Sequence, residues 1–211
     1  MALTMVHLLA ADRWAEGHPE YRESPAFYYG VISPDAIHIR YGGDKSRKDE
    51  LHLHNWRKPH PDEVLAYWRE NGDPFDIGYG VHVLTDGQWV QRYLRMLPGL
   101  MLPTGRLNVD VYYNDTFVTD FLLYRHSKRL EELLQMIGRA PTPESHPCLT
   151  ADEFEKWRER ILASYRGECP YHGEPRFIDE EYVHGFVEDC IPLIEETFDR
   201  FREEKTAAIF H

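Results

Sequence analysis

His82 and Asp86, four residues apart in Gly78-Tyr-Gly-Val-His82-Val-Leu-Thr-Asp86-Gly-Gln-Trp89, are the residues whose types and spacing most directly suggest chemistry. The apolar residues around them, Val81, Leu84, Trp89, Tyr93 and Leu94, recur at helical spacing, so imidazole and carboxylate leave the same face of one helix. That face presents a nitrogen and an oxygen donor to one point, the donor set of a hard or borderline divalent ion. An isolated pair of this kind often does no more than share a hydrogen bond. What turns the argument is the rest of the N-terminal half, which supplies further His and Asp residues where apolar ones are expected.

His7 lies on or beside the stripe Leu3, Val6, Leu9, Ala10 and Trp14 of a helix over residues 3–17. A lone histidine of that kind is usually just hydrogen-bonded to a neighbour, and partners elsewhere are needed to make it a ligand. Residues 25–32 read as a short buried helix that ends at Ser33-Pro34-Asp35, because a residue before proline is pushed away from helical geometry. Asp35 is then either a ligand at the helix exit or a cap for the next turn. The polar stretch 40–61 reads as a loop long enough to fold over a site, and its His52-Leu-His54 alternation puts both imidazoles on one side if extended. Asp120, among Phe117, Phe121 and Leu123, is an expensive place for an unpaired carboxylate and requires a partner: an imidazole, an arginine or a metal.

The elements that must position these groups are helical. Asp62 and Glu63 follow Pro61 in a good helix start that runs to Asn71-Gly72, and Asp73-Pro74 opens the next helix, over about 74–96, which carries the His82/Asp86 pair. A long helix is expected from near Asp115 to Ile137, a capping box Thr150-Ala-Asp-Glu153 opens an amphipathic one, and a last helix runs from Asp179 to Phe201. Convincing alternating strands are missing, so the expected class is all-α: one multi-helical domain with a metal-binding core over 1–140 and structural C-terminal helices over 141–211 packed on it. The 13% aromatic content supplies bulky core material for a chain of 211 residues.

A net charge of -12 disfavours a nucleic-acid polymer as partner and favours a cation. Cys148, Cys169 and Cys190 are too scattered for a disulfide framework or a thiolate zinc site. No stretch has the length of a membrane span and the first residues lack a signal-peptide pattern, so a cytoplasmic protein is expected.

The order His7-Leu-Leu-Ala, Tyr29-Gly-Val-Ile-Ser-Pro34-Asp35-Ala-Ile-His38, Lys48-Asp-Glu-Leu-His52-Leu-His54 and Gly78-Tyr-Gly-Val-His82-Val-Leu-Thr-Asp86 resembles small bacterial proteins of the zinc-dependent phospholipase C-like group. Tyr112-Tyr-Asn-Asp115 and Asp120-Phe121 are similar to their continuation, and the resemblance covers about the first 126 residues. It implies a phospholipase C/P1 nuclease-like helical core with a metal cluster, typically zinc, in which His7, Asp35, His52, His82 and Asp86 match the ligand pattern. Iron or manganese are the alternative ions. The group's matured N-terminal Trp ligand and later His-x-x-x-Glu pair have no counterpart here, which implies one or two metals, with Asp115 or Asp120 replacing a missing ligand and His54 a further candidate.

The function expected from these features is a metal-dependent hydrolase of a phosphodiester or phosphomonoester of small size, in which Asp35 or Asp86 serves as ligand or as base. A phospholipid substrate does not follow. A nucleotide phosphohydrolase of the His-Asp type ranks lower, since the chain has no His-Asp dipeptide. The alternative from another class is a non-catalytic helical protein whose His/Asp set forms a structural metal site or a buried hydrogen-bond network.

Overall fold

Where proline and a short polar side chain coincide, the chain starts a helix. The computed structural model describes residues 2–42, 48–54, 57–144, 146 and 149–209. Helix α1 spans Thr4–Ala15, α2 Pro19–Arg22, and α3 Pro25–Ile32, with the Ser24 hydroxyl accepting from the Phe27 N–H. A 3-10 turn over Ser33–Ala36 leads into the single-turn α4, Ile37–Arg40, and a second 3-10 turn covers Lys48–Glu50. Then come α5, Pro61–Glu70, and α6, Pro74–Met96, whose first turn is capped by Asp73. The bundle is completed by α7 (Val109–His126), α8 (Lys128–Arg139), α9 (Ala151–Ser164) and α10 (Glu180–Ile209). Among the described residues the β-type pairing is confined to one isolated bridge between Met101 and Leu107, so the all-α expectation is met.

Local chemistry explains the departures. The sequence places one helix from near Asp115 to Ile137; the structure has two, because Asn108 caps the Val111 N–H and starts α7 earlier, while the Ser127 hydroxyl accepts from the Leu130 N–H and restarts the chain as α8. α10 continues past Phe201 to Ile209. The capping box at Thr150 has both of its reciprocal bonds.

The core is continuous across residues 1–140 and the C-terminal helices. Phe198 of α10 meets Trp14 of α1 edge-on at 5.0 Å, and Phe154 of α9 meets Phe75 of α6 at 5.4 Å. Trp14 also donates its indole N–H to Glu195 (2.7 Å), tying α1 to α10.

The contact that orients the site is between α3 and α6. A Cβ placed on Gly78 would lie 2.0 Å from the carbonyl oxygen of Phe27, and one on Gly30 would lie 1.9 Å from that of Phe75. The two backbones therefore touch, at a separation closed to any residue but glycine. Replacing Gly78 by alanine must push α3 away from α6, and overpacking of this kind costs about 3 kcal/mol or more when the clash is with backbone. We expect Gly78→Ala to lower the urea midpoint accordingly at unchanged m-value, and an unchanged midpoint would refute the contact.

Candidate functional site

Val31, at the end of α3, faces α6 with its carbonyl, and His82 Nδ1 donates to it at 2.7 Å. His52, on the turn after Lys48–Glu50, likewise donates from Nδ1 to the Lys48 carbonyl at 3.0 Å. A carbonyl only accepts, so each neutral ring carries its proton on Nδ1 and exposes a lone pair at Nε2. Those two Nε2 atoms face each other at 3.2 Å. Two lone pairs at that distance repel unless a cation lies between or beside them. Two nitrogen ligands of a tetrahedral zinc ion, at about 2.0–2.1 Å each, are separated by roughly 3.3 Å, so the pair has the spacing a metal requires. A backbone carbonyl fixing the far nitrogen is the usual outer support of a ligating histidine.

The carboxylates close the cluster. Asp86 Oδ2 lies 3.5 Å from His52 Nε2, and its Oδ1 accepts from the Ala2 N–H at 2.9 Å. Asp35 Oδ1 lies 3.7 Å from His52 Nε2 and 4.0 Å from His82 Nε2, without a hydrogen bond of its own. His7 stacks on His82 with ring centroids 3.7 Å apart, its Nε2 is 3.5 Å from Asp86 Oδ1, and neither ring nitrogen has a hydrogen bond. One donor atom each from His7, Asp35 and His82, and likewise from His52, His82 and Asp86, falls within 4.8 Å of the others. The five residues picked from the sequence as principal ligands are thus brought together by four separate segments. These two trios of buried imidazole and carboxylate atoms could hold a divalent ion with nitrogen and oxygen ligands.

Lys48 is the member of the cluster that sequence reasoning missed. Its ammonium contacts Asp86 Oδ2 and lies 3.4 Å from Asp35 Oδ1, with the residue 1% exposed. In sequence it is one cation of a charged run. The available signal is its position four residues before His52, which puts both on one turn. Burial is the largest influence on Asp35 and Asp86 and pushes both up, yet the Lys48 ammonium together with the neighbouring histidines outweighs it and holds both below the usual carboxylate range. Burial lowers His52 well below its ordinary value and His82 to about 3, so both rings are neutral at physiological pH, the ligand form. Two carboxylates against one ammonium leave the buried cluster one net negative charge.

The lesser candidates lie elsewhere. Asp35 does not cap the turn after it; its side chain turns into the cluster. Leu53 and His54 adopt φ of 50° and 84°, so the extended geometry expected for His52-Leu-His54 is absent and His54 points to solvent. Asp115 is not among the ligating groups: it accepts from the Phe177 N–H (2.8 Å) and Ile178 N–H (3.3 Å), anchoring the loop before α10. Asp120 has a partner, as its apolar setting demands, but it is the Met5 N–H (2.9 Å) and the Tyr165 hydroxyl rather than an imidazole, an arginine or the cluster.

Asp35, His38 and Asp120 line a cavity of about 360 Å³ between α7 and α9. The C-terminal helices, read from sequence as structural, supply one wall of it, and Trp157 of α9 donates to the Ile32 carbonyl at 2.6 Å. Larger depressions of about 580 and 660 Å³ contain no residue of the cluster. The chain matches no family model, and comparisons with curated proteins and with solved structures give no match.

Two outcomes follow from this geometry. Lys48→Met leaves two buried carboxylates uncompensated, a loss of about 3–5 kcal/mol in metal-free protein; if a divalent ion can take the place of the ammonium, excess zinc restores most of it in thermal melts. Burial raises Asp120 to about 7. Its folded value is above the unfolded one, so its contribution to stability is present below about pH 4 and lost as pH rises through about 7. Asp120→Asn therefore gains stability relative to the parent between pH 5 and 8, read as the difference of the two melting curves across that range.

Proposed function

We propose that this protein is a metal-dependent hydrolase of a small phosphoester. The observation that carries the proposal is the pair of backbone-fixed imidazoles whose free Nε2 atoms face each other at the spacing of two zinc ligands, flanked by two buried carboxylates. The order of residues that resembles the zinc-dependent phospholipase C-like group agrees with it, as does an acidic chain able to welcome a cation.

His82, His52 and Asp86 would hold the ion, with His7 stacked beside His82; iron or manganese would suit the same donors. A bound divalent ion supplies Lewis acidity, lowering the pKa of water to roughly 7 and offsetting charge on phosphoryl oxygens. Asp35 and Asp86 divide the remaining work by access. Asp86 is fully buried and tied to Lys48 and the Ala2 N–H, which suits a ligand. Asp35 reaches both cluster and cavity, which places it to orient a water there, with the Lys48 ammonium 3.4 Å from its Oδ1 keeping it ionised. Lys48 serves as a fixed positive charge between the carboxylates.

A second reading, a structural network without catalysis, is favoured by that same ammonium, since Lys48 already answers both carboxylates. Elemental analysis separates the two. We expect stoichiometric zinc, iron or manganese in purified protein, lost in His82→Ala and Asp86→Ala, together with chelator-sensitive turnover of an aryl phosphodiester or monoester. Wild-type protein that stays metal-free after incubation with zinc would leave only the structural network.

A further inference from the structure

The cavity above Asp35 has a composition of its own. α7 lines it with Tyr113, Phe117 and Phe121, spaced four residues apart on one face, and opposite them stand Trp157 of α9 and Tyr165 just past its end. Phe117 is only partly buried, so part of its ring surface borders the cavity. The rings already pair with one another: Phe117 lies nearly parallel to Tyr171 at 5.0 Å and 19°, and Phe121 meets Tyr165 in a tilted contact at 5.3 Å and 38°. Arg160 also borders the cavity, with its guanidinium 5.6 Å from the centre of the Trp157 ring. Among the described residues it has no carboxylate partner, and on a chain of net charge -12 such a cation marks a place where an anion is tolerated.

A volume of about 360 Å³ is near the lower end of small-molecule sites. It takes a one- or two-ring group, whereas a long flexible chain would gain little from flat ring faces. We propose that this cavity binds the aromatic half of an anionic phosphoester, seating its ring between α7 and α9 with the phosphoryl group directed to the Asp35 end. The substrate class is thereby an aryl or heteroaryl phosphate. The assignment rests on the phosphoester reading for the identity of the anion, but the ring site can be tested without it.

Titration of metal-free protein with 1-naphthol, followed by tryptophan fluorescence, tests the ring site alone. Binding is expected, and Ser164→Trp, which puts a bulky ring into the cavity from an exposed position, abolishes it. Phe117→Ala, a variant that removes volume rather than adding it, weakens it several-fold. With zinc-loaded protein, 1-naphthyl phosphate binds at least about tenfold tighter than methyl phosphate, and Ser164→Trp removes that preference without changing zinc content. No naphthol binding, binding indifferent to both substitutions, or equal affinities for the two phosphates overturns the proposal. Metal content reports separately on the hydrolase reading: zinc with no ring preference sinks only the aromatic site, whereas ring binding without any metal uptake sinks the hydrolase and leaves the cavity as an aromatic-binding site.

Discussion

The backbone contact between Gly30 and Gly78 is the constraint from which the site descends. Because neither residue has a Cβ, α3 and α6 close to van der Waals contact of their main chains, and one turn further along the same crossing the Val31 carbonyl meets His82 Nδ1. The orientation of the imidazole is therefore set by how closely two helices pack, not by its own rotamer preference alone. Asp35 follows α3 by three residues and Asp86 follows His82 by four, so both carboxylates inherit the same reference frame. Hydrophobic burial of Trp14, Phe27, Tyr29 and Phe75 around the crossing supplies the driving force that holds it closed.

Burying this much charge is unfavourable unless it is balanced, and the balance is uneven across the cluster. The lysine compensates the carboxylates only in part, and two neutral imidazoles direct lone pairs into the same space. Each separate feature has a structural counterpart in ordinary proteins: buried Lys–Asp pairs occur, and so do core histidines. Their combination is harder to justify on stability, since a buried ion pair gains little over well-packed apolar side chains of equal volume. The proposed cation site would account for why five polar residues from four segments occupy a position that α3, α6 and α1 otherwise fill with aromatic and aliphatic side chains.

Much of the architecture was legible because its signals are local. The helices at 25–32 and 74–96 have the bounds expected from proline placement and capping, and His7, Asp35, His52, His82 and Asp86, the set that the resemblance implies, lie together in the structure. What escaped is what depends on approach between segments. Gly30 and Gly78 read as neutral in a helix pattern, although they fix the crossing. Lys48 reads as one more surface charge, because nothing local distinguishes a lysine that will be buried against two distant carboxylates. Asp115 and Asp120 read as spare ligands for the opposite reason: their real partners are main-chain N–H groups and a tyrosine hydroxyl that become neighbours only after α7 packs against the N-terminus and the loop before α10. The wall of the cavity contributed by α9 was invisible for the same reason.

Leu53 and His54, next to His52, give the cluster an asymmetry. Both occupy left-handed backbone conformations that side chains with a Cβ normally avoid, at a cost of about 1–3 kcal/mol each. The segment bearing Lys48 and His52 is therefore held bent against its own preference, whereas α6 presents His82 and Asp86 from relaxed helical geometry. Of the elements that meet at the buried charges, the turn after His52 carries backbone strain and α6 does not.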